Sequence, residues 1–238
     1  DLIVVTGSSE ASAVFRATAT LPIVMIHASV DPVEQGLAIS LSKPGRNLTG
    51  MLSTPAGFSA KALELLVESF PGAKRIALLG NPSHASYAAH RRELEGAATG
   101  KGVVLLSTTE ARRPEELDSA FASLASTKPD AMIVLPDALF FVQRKRIISF
   151  AGQARLPVMY RFTEDVEAGG LMAFATRFRD LYARAPVFVD KILKGAKPGD
   201  IPIEQPARFG LWLNMKTARA LGIKFPNAVL ARAERVIE

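Results

Sequence analysis

The sequence contains no cysteine and only three histidines in 238 residues. The lack of thiols excludes disulfides, thiolate nucleophiles and cysteine-based zinc sites, and it suits an oxidising compartment. No apolar run approaches the roughly 18 residues that a membrane-spanning helix requires. With 48% hydrophobic and 22% charged residues, the composition is that of a folded globular chain.

The net charge of +6 does not come from one basic block. Lysines and arginines are scattered in pairs and triplets such as Arg91/Arg92 and Arg144/Lys145/Arg146, with acidic residues between them. No stripe of basic and aromatic residues appears, so we expect no nucleic-acid partner.

The dominant pattern is a short β-branched run, a loop of small residues and then an amphipathic helix. Because the apolar runs are continuous, they predict parallel strands that are buried on both faces. The predicted strands are Leu2–Thr6, Ile23–His27, Leu48–Leu52, Arg75–Leu79, Val103–Ser107, Ala131–Leu135, Val158–Tyr160, Leu171–Ala175 and the later segment "FGLWLN". The predicted helices are Phe58–Phe70, Ser83–Gly100, Pro114–Ser126, Ala138–Ala154 and Phe178–Lys194.

This alternation predicts an α/β protein with doubly wound parallel sheets, and the number of strands favours two lobes. We expect residues 1–56 and 176–238 to form the first lobe and residues 57–175 to form the second. The chain then crosses between the lobes near 53–57 and again near 175–179.

The chain begins on a core strand, "DLIVVTGSS". A natural domain seldom starts on a central strand, so we expect the first lobe to be incomplete at its N terminus. An incomplete lobe would expose a sheet edge that could pair with a second chain to form a dimer.

Five segments in fixed order resemble the substrate-binding proteins of ABC transporters, of the type that binds tryptophan or tyrosine. The segments are "LPIVMIHASVDPVEQGLAISLSKPGRNLTG", "LLGNPSHAS", "DAMIVLPDALFFVQRKRI", "LPVMYRFTEDVEAGGLMAF" and "DKILKGAKPGDIPIEQPARFGLWLNMKTARALGI". The resemblance covers essentially the entire chain.

The resemblance implies a periplasmic-binding-protein fold, in which two lobes joined by a hinge close on a small molecule. It implies an amino acid or aromatic acid as ligand, the transporter's membrane subunits as partners, a periplasmic location and a signal peptide upstream of this chain. It implies neither catalysis nor a cofactor.

Ligands of parallel α/β sheets lie beyond the carboxyl ends of the strands, so the loops there supply the candidate residues. The first loop contains Thr6, Gly7, Ser8 and Ser9 and leads into a helix whose free N–H groups could receive a ligand carboxylate. The alternative is that Ser8 or Ser9 only caps the helix. The loop lacks the Gly-Lys-Ser/Thr ending of a P-loop.

The segment "PIVMIHASVDPVEQG" suggests a His/Ser/Asp active site at first inspection. Ser29 has no glycine on either side and is therefore not a nucleophile elbow, and the chain offers no second cluster for a metal. Asp31-Pro32 is typical of a capped helix start. We interpret His27, Ala28 and Ser29 as ligand-binding residues at the end of a strand.

The loops of the second lobe offer Asn81, Ser83, Asp137, Tyr160 and Glu164 as binding residues. A carboxylate can meet a ligand ammonium, an aromatic ring can cover an apolar side chain, and hydroxyls or amides can meet a carboxylate. The loop with Tyr160 and Glu164 also offers Arg161, for which the alternative is a surface pair with Glu164. At most one of Phe140 and Phe141 can face a ligand.

An effector-sensing lobe pair of a transcription regulator has the same architecture and remains the alternative function. It requires a helix-turn-helix ahead of the lobes. An α/β hydrolase is disfavoured because the sequence lacks the G-x-S-x-G elbow.

Overall fold

The computed structural model describes residues 1–54, 57–206 and 209–238. Within these ranges the strands are β1 Ile3–Val5, β2 Ile23–Ala28, β3 Leu48–Leu52, β4 Arg75–Gly80, β5 Val104–Leu105, β6 Thr109–Glu110, β7 Ala131–Val134, β8 Val158–Tyr160, β9 Met172–Ala175, β10 Gly210–Asn214 and β11 Ala233–Ile237. The α-helices are α1 Ser8–Ala17, α2 Phe58–Ser69, α3 Tyr87–Lys101, α4 Leu117–Thr127, α5 Ala138–Val142, α6 Arg144–Gln153, α7 Thr163–Glu167, α8 Phe178–Leu193, α9 Met215–Leu221 and α10 Asn227–Ala231.

The described residues form two compact units. Residues 1–54 and 176–206 make the first unit, and residues 57–175 and 209–238 make the second. The prediction that 176–238 joins the first lobe is therefore wrong for its last thirty residues. Strand β10 pairs antiparallel with β9, with Leu211 opposite Phe174, and this pairing carries the C-terminal segment into the second unit.

The first unit is built on a parallel sheet in the order β1-β2-β3. Side chains alternate along β2, and both faces of the sheet are covered. Ile23 and Met25 pack in a cluster with Ala11 of α1, whereas Val24 and Ile26 pack with Leu181 and other apolar residues of α8. This burial on two sides explains why the strand reads as a continuous apolar run.

The backbones of β2 and β3 approach closely at Gly50. Its φ is +137°, and a Cβ there would lie 1.9 Å from the carbonyl oxygen of Met25. On the other edge of β3, the Glu204 N–H donates to the Gly50 carbonyl, and the Leu52 N–H donates to the Glu204 carbonyl. Residue 204 thereby extends the sheet beyond β3.

The sheet of the second unit runs in the order β11-β10-β9-β8-β7-β4-β5, and β6 also pairs with β4. All of its pairs are parallel except that of β9 with β10. Ile76 and Leu78 belong to one core cluster, and Ala77 and Leu79 belong to the cluster on the opposite face. Trp212 of β10 is buried in this second cluster.

Three local predictions differ from the structure. Asp31-Pro32 does not start a helix: residues 32–36 form turns, and the Asp31 carboxylate accepts the N–H of Val33. The helix expected over Ala138–Ala154 is two helices that meet at Gln143. Residues 83–86 precede helix α3, which begins at Tyr87. At Asp31 and around residues 83–86, side-chain atoms of Asp31, Asn81 and His84 accept nearby backbone N–H groups and so compete with regular helix hydrogen bonds.

Candidate ligand-binding residues at the strand ends

In the first unit, the structure brings together the loops that follow β1 and β2. The Ser8 hydroxyl accepts hydrogen bonds from the N–H groups of Ser29 (3.0 Å) and Val30 (3.1 Å). Ser8 is buried, while Thr6 and Ser9 are exposed. The Ser8 hydroxyl thus links the two loops through hydrogen bonds. The hydroxyls of Thr6 and Ser9 are more accessible to solvent.

Neither serine caps helix α1. Gly7 occupies the N-cap position with an extended backbone and supplies no side-chain cap. The carboxylate of Glu10 lies so close to Gly7 that a Cβ on Gly7 would fall 2.2 Å from its Oε2. An acidic group of the chain itself therefore already lies at this helix N terminus, where the helix dipole favours it.

The residues at the end of β2 are held by backbone and ring contacts. The His27 ring meets the Phe178 ring edge-on, with 4.4 Å between ring centroids. The Ala28 carbonyl accepts from both the N–H and the hydroxyl of Ser53, and the Ser29 carbonyl accepts from the Thr54 hydroxyl. Ala28 is fully buried, whereas His27 and Ser29 are half-buried.

A cavity of about 290 Å³ also lies in the first unit. Its lining includes Asp180, Leu181 and Arg184 of α8 together with Glu204. Arg184 and Glu204 form a bidentate ion pair at 2.7 and 2.9 Å. The predicted residues after β1 and β2 are not part of the described lining, so this cavity does not test them.

In the second unit, the strands β4, β7 and β8 are neighbours, and their carboxyl ends place Asn81, Asp137 and the residues after Tyr160 along one sheet edge. The Asn81 amide donates to Asp137 at 2.9 Å, and its oxygen accepts the Ser83 N–H at 3.0 Å. Asp137 also accepts the N–H of Leu139 and so caps α5. The structure thus joins three predicted residues in one hydrogen-bonded group.

Tyr160 and Glu164 lie apart from this group. Tyr160 is buried in the core beside Val158 and Val166, and its burial, with the nearby Asp165 charge, raises the pKa of its phenol. It lines a cavity of about 650 Å³ whose described lining omits Asn81, Asp137 and Glu164. Glu164 is half-buried and accepts a hydrogen bond from the Thr163 hydroxyl.

Arg161 is buried and does not lie on the surface. It is only 5% exposed, and its guanidinium carbon lies 4.3 Å from the centre of the Phe58 ring. Its Nη1 and Nη2 are buried and have no hydrogen-bond partner among the described residues. The surface pair with Glu164 is therefore wrong. The position of Arg161 directly after a buried parallel strand was the available signal for a site residue.

A second set of polar residues surrounds the start of helix α2. The Glu93 carboxylate accepts the N–H groups of Gly57 and Ser59, each at 3.0 Å. Ser59 Oγ lies 2.8 Å from Nδ1 of His90, which is buried. Burial, followed by the charges of Arg161 and His84, holds the pKa of His90 well below its ordinary value of 6.5. His90 is therefore neutral near pH 7.

Among the described residues, no three histidine, aspartate or glutamate side chains gather closely enough to hold a metal ion. The helices in the described ranges also include none with the length and apolar character needed to cross a membrane.

Comparison with known proteins gives one family. The family described as ABC transporter substrate-binding protein matches residues 1–237. A tyrosine-binding protein of Clostridioides difficile is 29% identical over 229 residues, which are 94% of this chain but only 64% of that relative. The chain thus spans less than two thirds of the length of this curated relative.

Two solved structures are similar over essentially the whole chain. The first is an ABC domain from Streptococcus pneumonia in complex with L-Trp; it has 29% identity and a TM-score of 0.91, with 100% of this chain and 81% of that chain covered. The second is a conserved domain protein from Vibrio cholerae, with 30% identity and a TM-score of 0.91, covering 99% and 78% of the two chains.

Proposed function

Because the chain belongs to the family of ABC transporter substrate-binding proteins, we propose that it is the solute-binding component of an ABC importer. The family match over residues 1–237 is the observation that carries this proposal. The solute we propose is an amino acid, with tryptophan and tyrosine as first candidates. Support comes from the L-Trp complex of one similar structure and from the name of the tyrosine-binding relative.

The strand-end residues suit an amino-acid ligand. Asp137 can meet an ammonium group, and Asn81 beside it can orient that carboxylate. In the first unit, the accessible members of the proposed set are Thr6, Gly7, Ser9, His27 and Ser29. Ser8 and Ala28 are buried and stabilise the loops. We assign Ser83 and Glu164 to the same set and give Tyr160 a supporting role from the core.

The proposed role is binding and release without reaction. A substrate-binding protein changes conformation because its ligand binds one conformation more tightly than the other. This role needs no nucleophile and no cofactor. The partners that follow from this role are the membrane subunits of an importer, and the proposed location is outside the cytoplasm, in the periplasm, after removal of a signal peptide.

A thermal-shift screen of the twenty amino acids and several aromatic acids tests the proposal. We expect a rise in melting temperature with at least one aromatic amino acid, because a ligand that binds only the folded state stabilises it by about 2.7 kcal/mol at 100 times its Kd. The absence of any shift at millimolar concentrations would contradict the proposal.

The codons upstream of Asp1 separate the importer from the regulator alternative. A signal peptide there is the expected result. A helix-turn-helix there would contradict the importer and favour an effector-sensing protein.

A further inference from the structure

Arg161 presents a buried cation whose two terminal nitrogens have no acceptor. Nη1 and Nη2 are both inaccessible to solvent, and none of the described residues accepts a hydrogen bond from them. The Phe58 ring covers one face of the guanidinium and can attract its charge, but a ring face does not satisfy the N–H groups at the edge.

Burial lowers the pKa of Arg161 from 12.5 to about 9, and the charge of Glu93 opposes this effect. The side chain therefore remains protonated at neutral pH. A buried charge without a partner is costly, and the usual partner of a guanidinium is a carboxylate that accepts two parallel hydrogen bonds.

The acidic side chain whose charge acts on Arg161 is already engaged elsewhere. Each oxygen of Glu93 accepts a backbone N–H at the start of α2, and Glu93 accepts no hydrogen bond from Nη1 or Nη2 of Arg161. His90 adds a second unsatisfied group, because its Nε2 is buried and has no partner in the described part of the chain. Two polar groups of this cluster thus lack partners among the described residues.

We propose that Arg161 binds the carboxylate of the solute, with Phe58 holding the guanidinium plane in place. This inference rests on the proposed function and deepens it, since it names a residue and requires an anionic ligand.

The guanidinium is closed to solvent in this structure, so a ligand reaches its N–H edge only when a covering group other than Phe58 moves aside. Phe58 is the first residue of α2, and its ring also stacks on Phe174 with 4.7 Å between centroids. We expect Phe58 to keep its contact with Arg161, because stacking leaves the N–H edge of the guanidinium available to a carboxylate.

Isothermal titration with paired ligands tests this proposal. The probes are L-tryptophan and L-tyrosine, their carboxamides, and 3-phenylpropionate, which has a carboxylate but no ammonium. We expect the wild type to bind the acids about 100-fold more tightly than the amides, because a bidentate charge-assisted pair is lost in the amide. Arg161→Met should lose most of its affinity for the acids and none for the amides.

Two further variants keep the test independent of folding. Arg161→Lys retains the charge but not the planar fork, and it should bind the acids with intermediate affinity. Arg92→Gln removes one exposed positive charge from α3 and should bind like the wild type. Without ligand, Arg161→Met should melt at a higher temperature than the wild type, since it removes an unpaired buried charge.

The outcomes distinguish this inference from the proposed function. If the amino acids bind equally well to the wild type and Arg161→Met, or if amides bind as well as acids, the role of Arg161 is refuted and the solute-binding function stands. If only 3-phenylpropionate binds and its binding needs Arg161, the inference stands and the amino-acid assignment fails. If no probe binds, both are refuted.

Discussion

At the scale of single residues, the Ser8 hydroxyl is a structural link between two candidate binding loops. It accepts two backbone N–H groups, from Ser29 and Val30. Ser8→Ala leaves both groups without that acceptor, so we expect a loss of about 1–3 kcal/mol in the free energy of unfolding, measured by chemical denaturation. Ser9→Ala, at an exposed neighbouring position, should change it by less than about 0.5 kcal/mol. Equal effects of the two variants would show that the link is unimportant.

Asp165 makes the stability of the protein depend on pH. Burial raises the pKa of its carboxyl from 3.8 to about 7, against the opposing hydrogen bond from the Phe162 N–H. Since the folded-state pKa lies above the unfolded value, the stabilisation by this group is complete below the unfolded pKa and is lost as pH rises through about 7.

Asp165→Asn cannot ionise but keeps an oxygen that can accept the Phe162 N–H. We therefore expect the variant to gain stability over the wild type as pH rises from about 5 to 8, by a few kcal/mol at most. Urea denaturation at a series of pH values measures this difference. Titration of His90 is common to both proteins and cancels. A difference that does not change with pH would rule out the raised pKa.

Arg161 shows why part of the site could not be predicted from sequence. Its neighbour Glu164 in the sequence suggested a local ion pair. In the fold, the ring that covers the guanidinium comes from Phe58, about a hundred positions away, and the acidic charge that acts on it comes from Glu93. Burial by residues distant in sequence leaves no periodic signal.

At the scale of secondary-structure elements, Gly50 controls the pairing of β2 with β3. Its positive φ and the 1.9 Å approach to the Met25 carbonyl leave no room for a side chain. Gly50→Ala should destabilise the protein by at least about 3 kcal/mol, because backbone atoms have to move. Gly96→Ala, in the open interior of α3, should instead stabilise it by about 0.5–1 kcal/mol. Thermal unfolding of the two variants should shift in opposite directions, and a shift in the same direction would contradict this account.

Elements were predictable where a strand is buried on both faces. The strands around Ile23, Leu48, Ile76 and Ile133 were identified because their apolar runs are continuous, and both faces of each sheet are apolar in the structure. The break between α5 and α6 and the turns after Asp31 were not predicted. At Asp31, a single Asp-to-N–H hydrogen bond fits a helix cap and a turn equally well.

At the scale of the whole molecule, the family and the α/β class were predictable from five segments that follow one another in the family's order. The unit to which the C-terminal segment belongs was not predictable. The run "FGLWLN" predicted strand β10. No local feature of that run specifies an antiparallel pair with β9, because partner choice depends on segments that are remote in sequence.

The outer edge of β1 offers a prediction about assembly. Among the described residues β1 pairs only with β2, and Val4 is 44% exposed. We expect this edge to pair weakly with a second copy, so sedimentation should detect a dimer at high concentration. Val4→Lys should abolish it, since a charged edge strand resists pairing. A monomer at all concentrations would contradict the expectation.

Calorimetric titration of the purified chain with L-tryptophan and L-tyrosine tests the solute-binding function most directly. We predict saturable one-to-one binding of at least one of them, with a Kd in the micromolar range or tighter, which corresponds to about −8 kcal/mol or better. The absence of saturable binding of either amino acid at millimolar concentration would contradict it.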